Sequence, residues 1–176
     1  GKAPSVFCVA KPKLGDWLLR ALHTVGLSPR EYTEMATFWA GKFAQVSESE
    51  SVMIRFLNSE EIETQVGALR IDPSPDVLLR VYALFTSAPA CGESTVLSEG
   101  GSSLSASERE ALMRVRAGIL GETETERARA GGKEREGRFF AVEWGGSDLP
   151  LQDFPFANNS KVEVKEAERL ERSTEI

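Results

Sequence analysis

The stretch LGDWLLRALHTVGLSPREYTEMATFWAGKFA, residues 14–44, decides the fold. Leu14, Trp17, Leu18, Ala21, Leu22 and Val25 recur at helical spacing, and Gly26 follows as a stop. A second start signal comes at once. Ser28 is the N-cap, Pro29 suits the first helical position, and Glu31 completes a capping box. This second helix is predicted to run to about Ala44, with Tyr32, Met35, Ala36, Trp39 and Phe43 on its buried face. Counted together, the two helices form one extended crossover between strands.

Strands flank this pair. Ser5 to Ala10 is a short apolar run closed by Lys11-Pro12, and Val52 to Leu57 follows the polar break Ser47–Glu50. Glu60 to Val66 fits one helical turn or two. Asp72-Pro73-Ser74-Pro75-Asp76 is a turn, since each proline fixes φ and the aspartates accept local backbone bonds. Val77 to Phe85 is the longest strand, apolar on both faces except for Arg80, which suits a central position. Residues 86–107, rich in Ser and Gly, read as a surface loop. Ser105 and Glu108 open a helix whose stripe is Ala111, Leu112, Val115 and Ile119 and whose end is Gly121. Residues 122–138 carry five glutamates and five basic residues and read as a solvated loop. Phe139 to Trp144 is the last strand, closed by Gly145-Gly146.

The order is β, α, α, β, β, α, β. With the tandem helices as one crossover, this is an α+β, ferredoxin-like βαββαβ sandwich. The expected architecture is a four-stranded antiparallel sheet with helices on one face, an extra helix and long loops. Residues 1–146 form the domain, and 147–176 form a flexible acidic tail with seven acids against four bases. Neither a signal nor a transit peptide is read at Gly1, and a processed form would show none.

Composition narrows the chemistry. In 176 residues, 41% are hydrophobic and 27% charged, the net charge is -6, and there is one histidine. Mean hydropathy is -0.24, and no apolar run is long enough to cross a bilayer, so no membrane insertion is expected. The acidic balance argues against nucleic acid, whose phosphates need a concentrated basic face. A lone histidine removes mechanisms that need two, and a zinc site fails for want of ligands, so no metal is expected. His23 lies opposite the apolar stripe of its helix and should face water, where no third group orients it. Cys8 and Cys91 can pair or remain free; the sequence leaves both open. Gly100-Gly101 and Gly131-Gly132 lack the strand-to-helix setting of a phosphate loop. No catalytic constellation and no cofactor is expected, so the chain is not read as an enzyme.

The tail carries a different signal. Leu149, Leu151, Phe154 and Phe156 are large and apolar, and Pro150 and Pro155 disfavour helix and hold the backbone extended. An extended peptide of this kind suits a groove that binds by strand addition. Equally, Phe154 and Phe156 can fold back and staple the tail to the domain. Asn158-Asn159-Ser160 matches a glycosylation sequon, a common chance match.

A domain of this order, ended by an aromatic strand and an extended tail, resembles the prodomain of subtilisin-type serine proteases. Its length and its Ser/Glu/Arg/Gly-rich style are also similar to secreted microneme proteins of coccidian parasites that regulate a surface subtilisin. Residues 26–144 are further similar to an uncharacterised domain of secreted bacterial proteins, which brings no mechanism. The prodomain resemblance implies a secreted, non-catalytic inhibitor of a subtilisin-like serine protease, monomeric when free. Its sheet would dock on the protease, with Glu143 and Trp144 at the contact, and its tail would lie in the substrate groove. Leu149, Leu151, Phe154 and Phe156 would fill specificity pockets, and Pro150 and Pro155 would hinder cleavage. Two rivals come from other classes. A parvulin-like peptidyl-prolyl isomerase would need paired histidines that this chain lacks, and a secreted adhesion or scaffold domain would use the same open sheet face.

Overall fold

A computed structural model describes residues 4–45, 51–89, 91, 95–98, 103–121 and 137–155. β1 (Val6–Ala10) leads through one 3-10 turn into α1 (Leu14–Val25), and α2 (Pro29–Phe43) follows. β2 (Ser51–Phe56) is succeeded by α3 (Ser59–Glu61), which continues as a π turn over Ile62–Val66. Then come β3 (Val77–Ala88), β4 (Val96–Leu97), α4 (Ala106–Leu120) and β5 (Phe140–Asp148). Gly26 ends α1 at φ 120, a conformation open to glycine and costly for other residues.

The sheet has five strands in the order β4-β1-β2-β3-β5. β2 is antiparallel to both β1 and β3, whereas β4 runs parallel to β1 and β5 parallel to β3. The four-stranded antiparallel ferredoxin-like sheet is therefore corrected to a five-stranded mixed one within the same α+β class. The reason is parity. A single crossover helix returns the chain parallel to the strand it left, while two helices reverse it once more. α1 and α2 thus deliver β2 beside β1, running the opposite way; they cannot be counted as one.

Three boundaries also move. β3 extends to Ala88 because Thr86, Ser87 and Ala88 pair with Met53, Val52 and Ser51. The 86–107 loop contains β4, placed by Val96 and Leu97 against Phe7 and Cys8. β5 runs through Gly145-Gly146 to Asp148 rather than ending at Trp144. Glycine is needed there: a Cβ on Gly146 would lie 2.6 Å from the Ala83 carbonyl oxygen and 2.7 Å from the Trp39 ring.

Strand alternation sends two sets of side chains to opposite faces. On the first face, Phe7, Val9, Val52, Ile54, Phe56, Leu79, Val81 and Phe85 pack beneath α1, α2 and α4. Trp17 of α1 and Trp39 of α2 anchor this layer, the latter stacked on Phe85 at 4.1 Å. On the second face, Val6, Cys8, Met53, Leu57, Leu84 and Ala88 form another buried cluster with Ile62 and Phe154. The expectation of an open second face therefore needs correction as well, because the π turn and the C-terminal segment cover part of it.

Glu108 ties the helices together. It caps α4 by accepting from the Ser105 N–H at 2.7 Å, and its other oxygen accepts from the Trp17 indole at 2.8 Å. Burial would raise its pKa. The Ser105 backbone N–H and hydroxyl, the Trp17 indole and the Ser98 hydroxyl outweigh that and hold the carboxyl below its ordinary 4.5. A carboxylate depressed in the folded state adds stability above its unfolded pKa and loses it as pH falls through the folded value. Stability should therefore decline on acidification below 4.5. Glu108→Gln should flatten that acid limb and cost about 1–3 kcal/mol at neutral pH, read by urea unfolding across pH.

Candidate functional site

The sequence-derived candidates fall on β5 and the segment after it. Phe140, Val142 and Trp144 are half-buried and pack against the first-face core, so Trp144 turns toward the helices. Glu143 points to the other face, where Arg80 of β3 donates to it at 2.5 Å. Arg80 also bonds Glu63 and the Gly67 carbonyl, each at 2.8 Å. One buried guanidinium therefore joins β3, the π turn and β5. Arg55 of β2 is matched in the same way with Glu61. A strand burying a lone arginine needs a counter-charge: Glu61 at the end of α3 serves Arg55, and Glu63 of the π turn joins Glu143 in serving Arg80.

The second face remains half-exposed along β5. Ala141, Glu143, Gly145 and Ser147 line this strip, and the Tyr82 hydroxyl meets the Ser147 hydroxyl at 2.9 Å. Glu143 and Trp144 are thus neighbours in sequence that occupy different faces.

After β5 the chain bends beneath the sheet. Leu149 N–H donates to the Phe85 carbonyl, prolonging the ladder by one bond. Pro150 is exposed, and Leu151–Asp153 form a 3-10 turn, closed by Asp153 N–H to the Pro150 carbonyl. Phe154 is only 3% exposed and enters the second-face cluster, with Leu149 and Leu151 packed beside it. Pro155 is half-buried, and Phe156 and the Asn158 sequon lie outside the described residues. Of the two alternatives for this segment, Phe154 takes the staple.

The remaining candidates are dispersed. His23 is exposed on α1, its ring edge-on to Tyr32 at 5.7 Å. Cys8 and Cys91 form a disulfide with a Cα–Cα distance of 5.7 Å, settling the alternative left open by sequence. Among the described residues no group of three or more His, Cys, Asp or Glu is placed to hold a metal ion. Nor is any described helix long and apolar enough to cross a membrane. A cleft of about 240 Å³ lies between α4 and the end of β2, lined by Asn58, Arg114 and Val115. Its Arg55 is already engaged with Glu61, which also lines it.

Sequence reasoning singled out Arg80 as the charge inside an apolar strand, and Arg55 of β2 is placed alike. It missed their partners, because nothing in the local pattern tells which glutamate comes to which arginine. The chemistry available on β5 is that of a surface: backbone groups at a sheet edge, a glycine pair and half-exposed aromatic rings. No protein family, curated protein or solved structure matches the chain.

Proposed function

We propose that this chain is a non-catalytic regulator of a subtilisin-like serine protease and acts by occupancy. The observation that carries the reading is the path of the C-terminal segment. Phe154, buried under the sheet, makes the residues beyond Pro155 depart from a fixed point on the second face. A peptide whose starting point is fixed loses less freedom when it enters a groove. In this reading Leu149, Leu151 and Phe154 anchor the segment, and Phe156 is the first candidate to fill a pocket. Pro150 stiffens the bend, and Pro155 hinders cleavage beside Phe156. Glu143 and the half-exposed strip around it supply the docking area, with Trp144 supporting the strand from the opposite face.

The Cys8–Cys91 disulfide supports a secreted protein, since such bonds persist in oxidising compartments. A secretory organelle of the microneme kind, followed by release, suits it. The isomerase rival gains nothing from His23, whose ring sits on the surface against Tyr32.

The test compares the intact chain with one ended after Pro155, each titrated against a subtilisin-type protease cleaving a peptide substrate. Ending at Pro155 retains Phe154, whereas ending at Gly146 would remove it. The intact chain should inhibit, and the shortened one should do so several-fold less well. Inhibition by neither overturns the reading, and equal inhibition removes the tail from the mechanism.

A further inference from the structure

The two edges of the sheet differ. β4 closes one edge with two residues, too short to template another strand. β5 forms the other edge with nine residues in unbroken register against β3, with no proline, lysine or bulge to blunt it. The direction of its backbone groups can be read from its ends. The Phe139 carbonyl accepts from Val77 N–H, and Leu149 N–H donates to the Phe85 carbonyl. Along a strand the N–H and C=O of one residue point to the same side, and the side alternates with each residue. Odd-numbered residues of β5 therefore bond to β3. Val142, Trp144 and Gly146 turn their backbone groups outward, where no strand of the described residues pairs with them.

We infer that this edge pairs with the same edge of a second copy of the chain, antiparallel about a two-fold axis at Trp144. The five strands of each copy then form one continuous sheet. The register is self-complementary. Val142 lies opposite Gly146 of the second copy, and Trp144 opposite its own counterpart, all with outward-facing backbone groups. Glu143 is the one charge between residues 140 and 147, and it falls opposite a Gly145 rather than another Glu143. Like charges set directly opposite would oppose pairing; here they are staggered, and each is already matched by Arg80.

The surroundings suit a covered edge. Phe38 of α2 is 58% exposed and Phe139 45% exposed, two of the few large apolar side chains left to solvent among the described residues. Phe38 sits against Trp39, whose ring lies over Gly146, and Lys42 of the same helix reaches Asp148. The two-fold axis brings the Phe139 end of each strand beside the Asp148 end of the other, the end that α2 and Phe38 border. The pairing is independent of any protease, and it replaces the expectation of a free monomer.

The experiment is sedimentation of the full chain over a range of concentrations, with amide exchange read at Val142, Trp144 and Gly146. A dimer should form as concentration rises, and protection of those three amides should rise with it. Val142→Pro removes an outward N–H from each copy and leaves the bonds to β3 intact, as edge prolines do. It should raise the concentration needed for dimerisation about tenfold without abolishing folding. A monomer at every concentration overturns the proposal. So does a dimer in which the three amides exchange freely, or protection that is equally strong in the monomer, which would mean that the chain covers its own edge. Exchange is measured on the unaltered chain, so the test stands even if Val142→Pro fails to fold.

Discussion

Replacing Cys8 and Cys91 together by alanine should cost about 4 kcal/mol of stability, on the chain-entropy account of a long closed loop. The bridge joins residues 83 apart and encloses α1, α2, β2 and β3. Without it the unfolded chain regains the freedom to separate β1 from the far end of β3. The folded state loses little else, since Cys8 remains surrounded by the second-face cluster. Denaturant unfolding of the double variant beside the parent measures the effect. A loss under about 1 kcal/mol would show that residual contacts already hold the unfolded chain together. Reduction of the parent should reproduce the double variant, which separates the bridge from the substituted side chains.

Phe154→Ala should cost about 3–5 kcal/mol, the range for deleting a buried aromatic ring. The side chain is 3% exposed beneath the sheet among Val6, Met53, Leu57 and Leu84, so its removal leaves a cavity walled by strands. Those walls are tied by the β1–β2 and β2–β3 ladders and cannot readily close in. Urea unfolding gives the number, and two lengths of chain give the control. Ending at Pro155 should leave the midpoint near that of the full chain, whereas ending at Gly146 should lower it at least as far as Phe154→Ala. If Phe154→Ala instead unfolds like the parent, the segment after β5 contributes nothing to the fold, and the fixed starting point proposed for the tail is lost with it.

Local signals in the sequence were sufficient for the helices. The apolar stripe of α1, the Glu31 and Glu108 capping boxes and the Gly26 and Gly121 stops all reappear as helix ends and buried faces. Topology was not legible in the same way, because the direction of a strand depends on how many reversals precede it. Counting α1 and α2 as one crossover placed β2 wrongly. β4 was hidden because two residues carry no period, and only Phe7 and Cys8 opposite them make a strand of Val96-Leu97. The glycine pair in β5 read as a terminus for a sound local reason, weak strand preference. Trp39 and Phe85, distant in sequence, fill the space a Cβ would need and so make glycine a strand residue there. On the site, Arg80 stood out as a lone charge, but its partners lie 17 and 63 residues away. Phe154 was legible as a large apolar residue, and whether it served a partner or its own core was decided by the pocket beneath the sheet.

Every strand except β2 runs in the same direction, so Ala10, Ala88, Leu97 and Asp148 all end at one pole of the sheet, where β2 begins at Ser51. Four outgoing connections and one incoming connection therefore meet there. Such a pole can diversify one excursion at a time, since an insertion after any of these strands leaves the register of the ladders untouched. Selection, or a designer grafting peptides, would find this end the most permissive place on the molecule to change what it recognises.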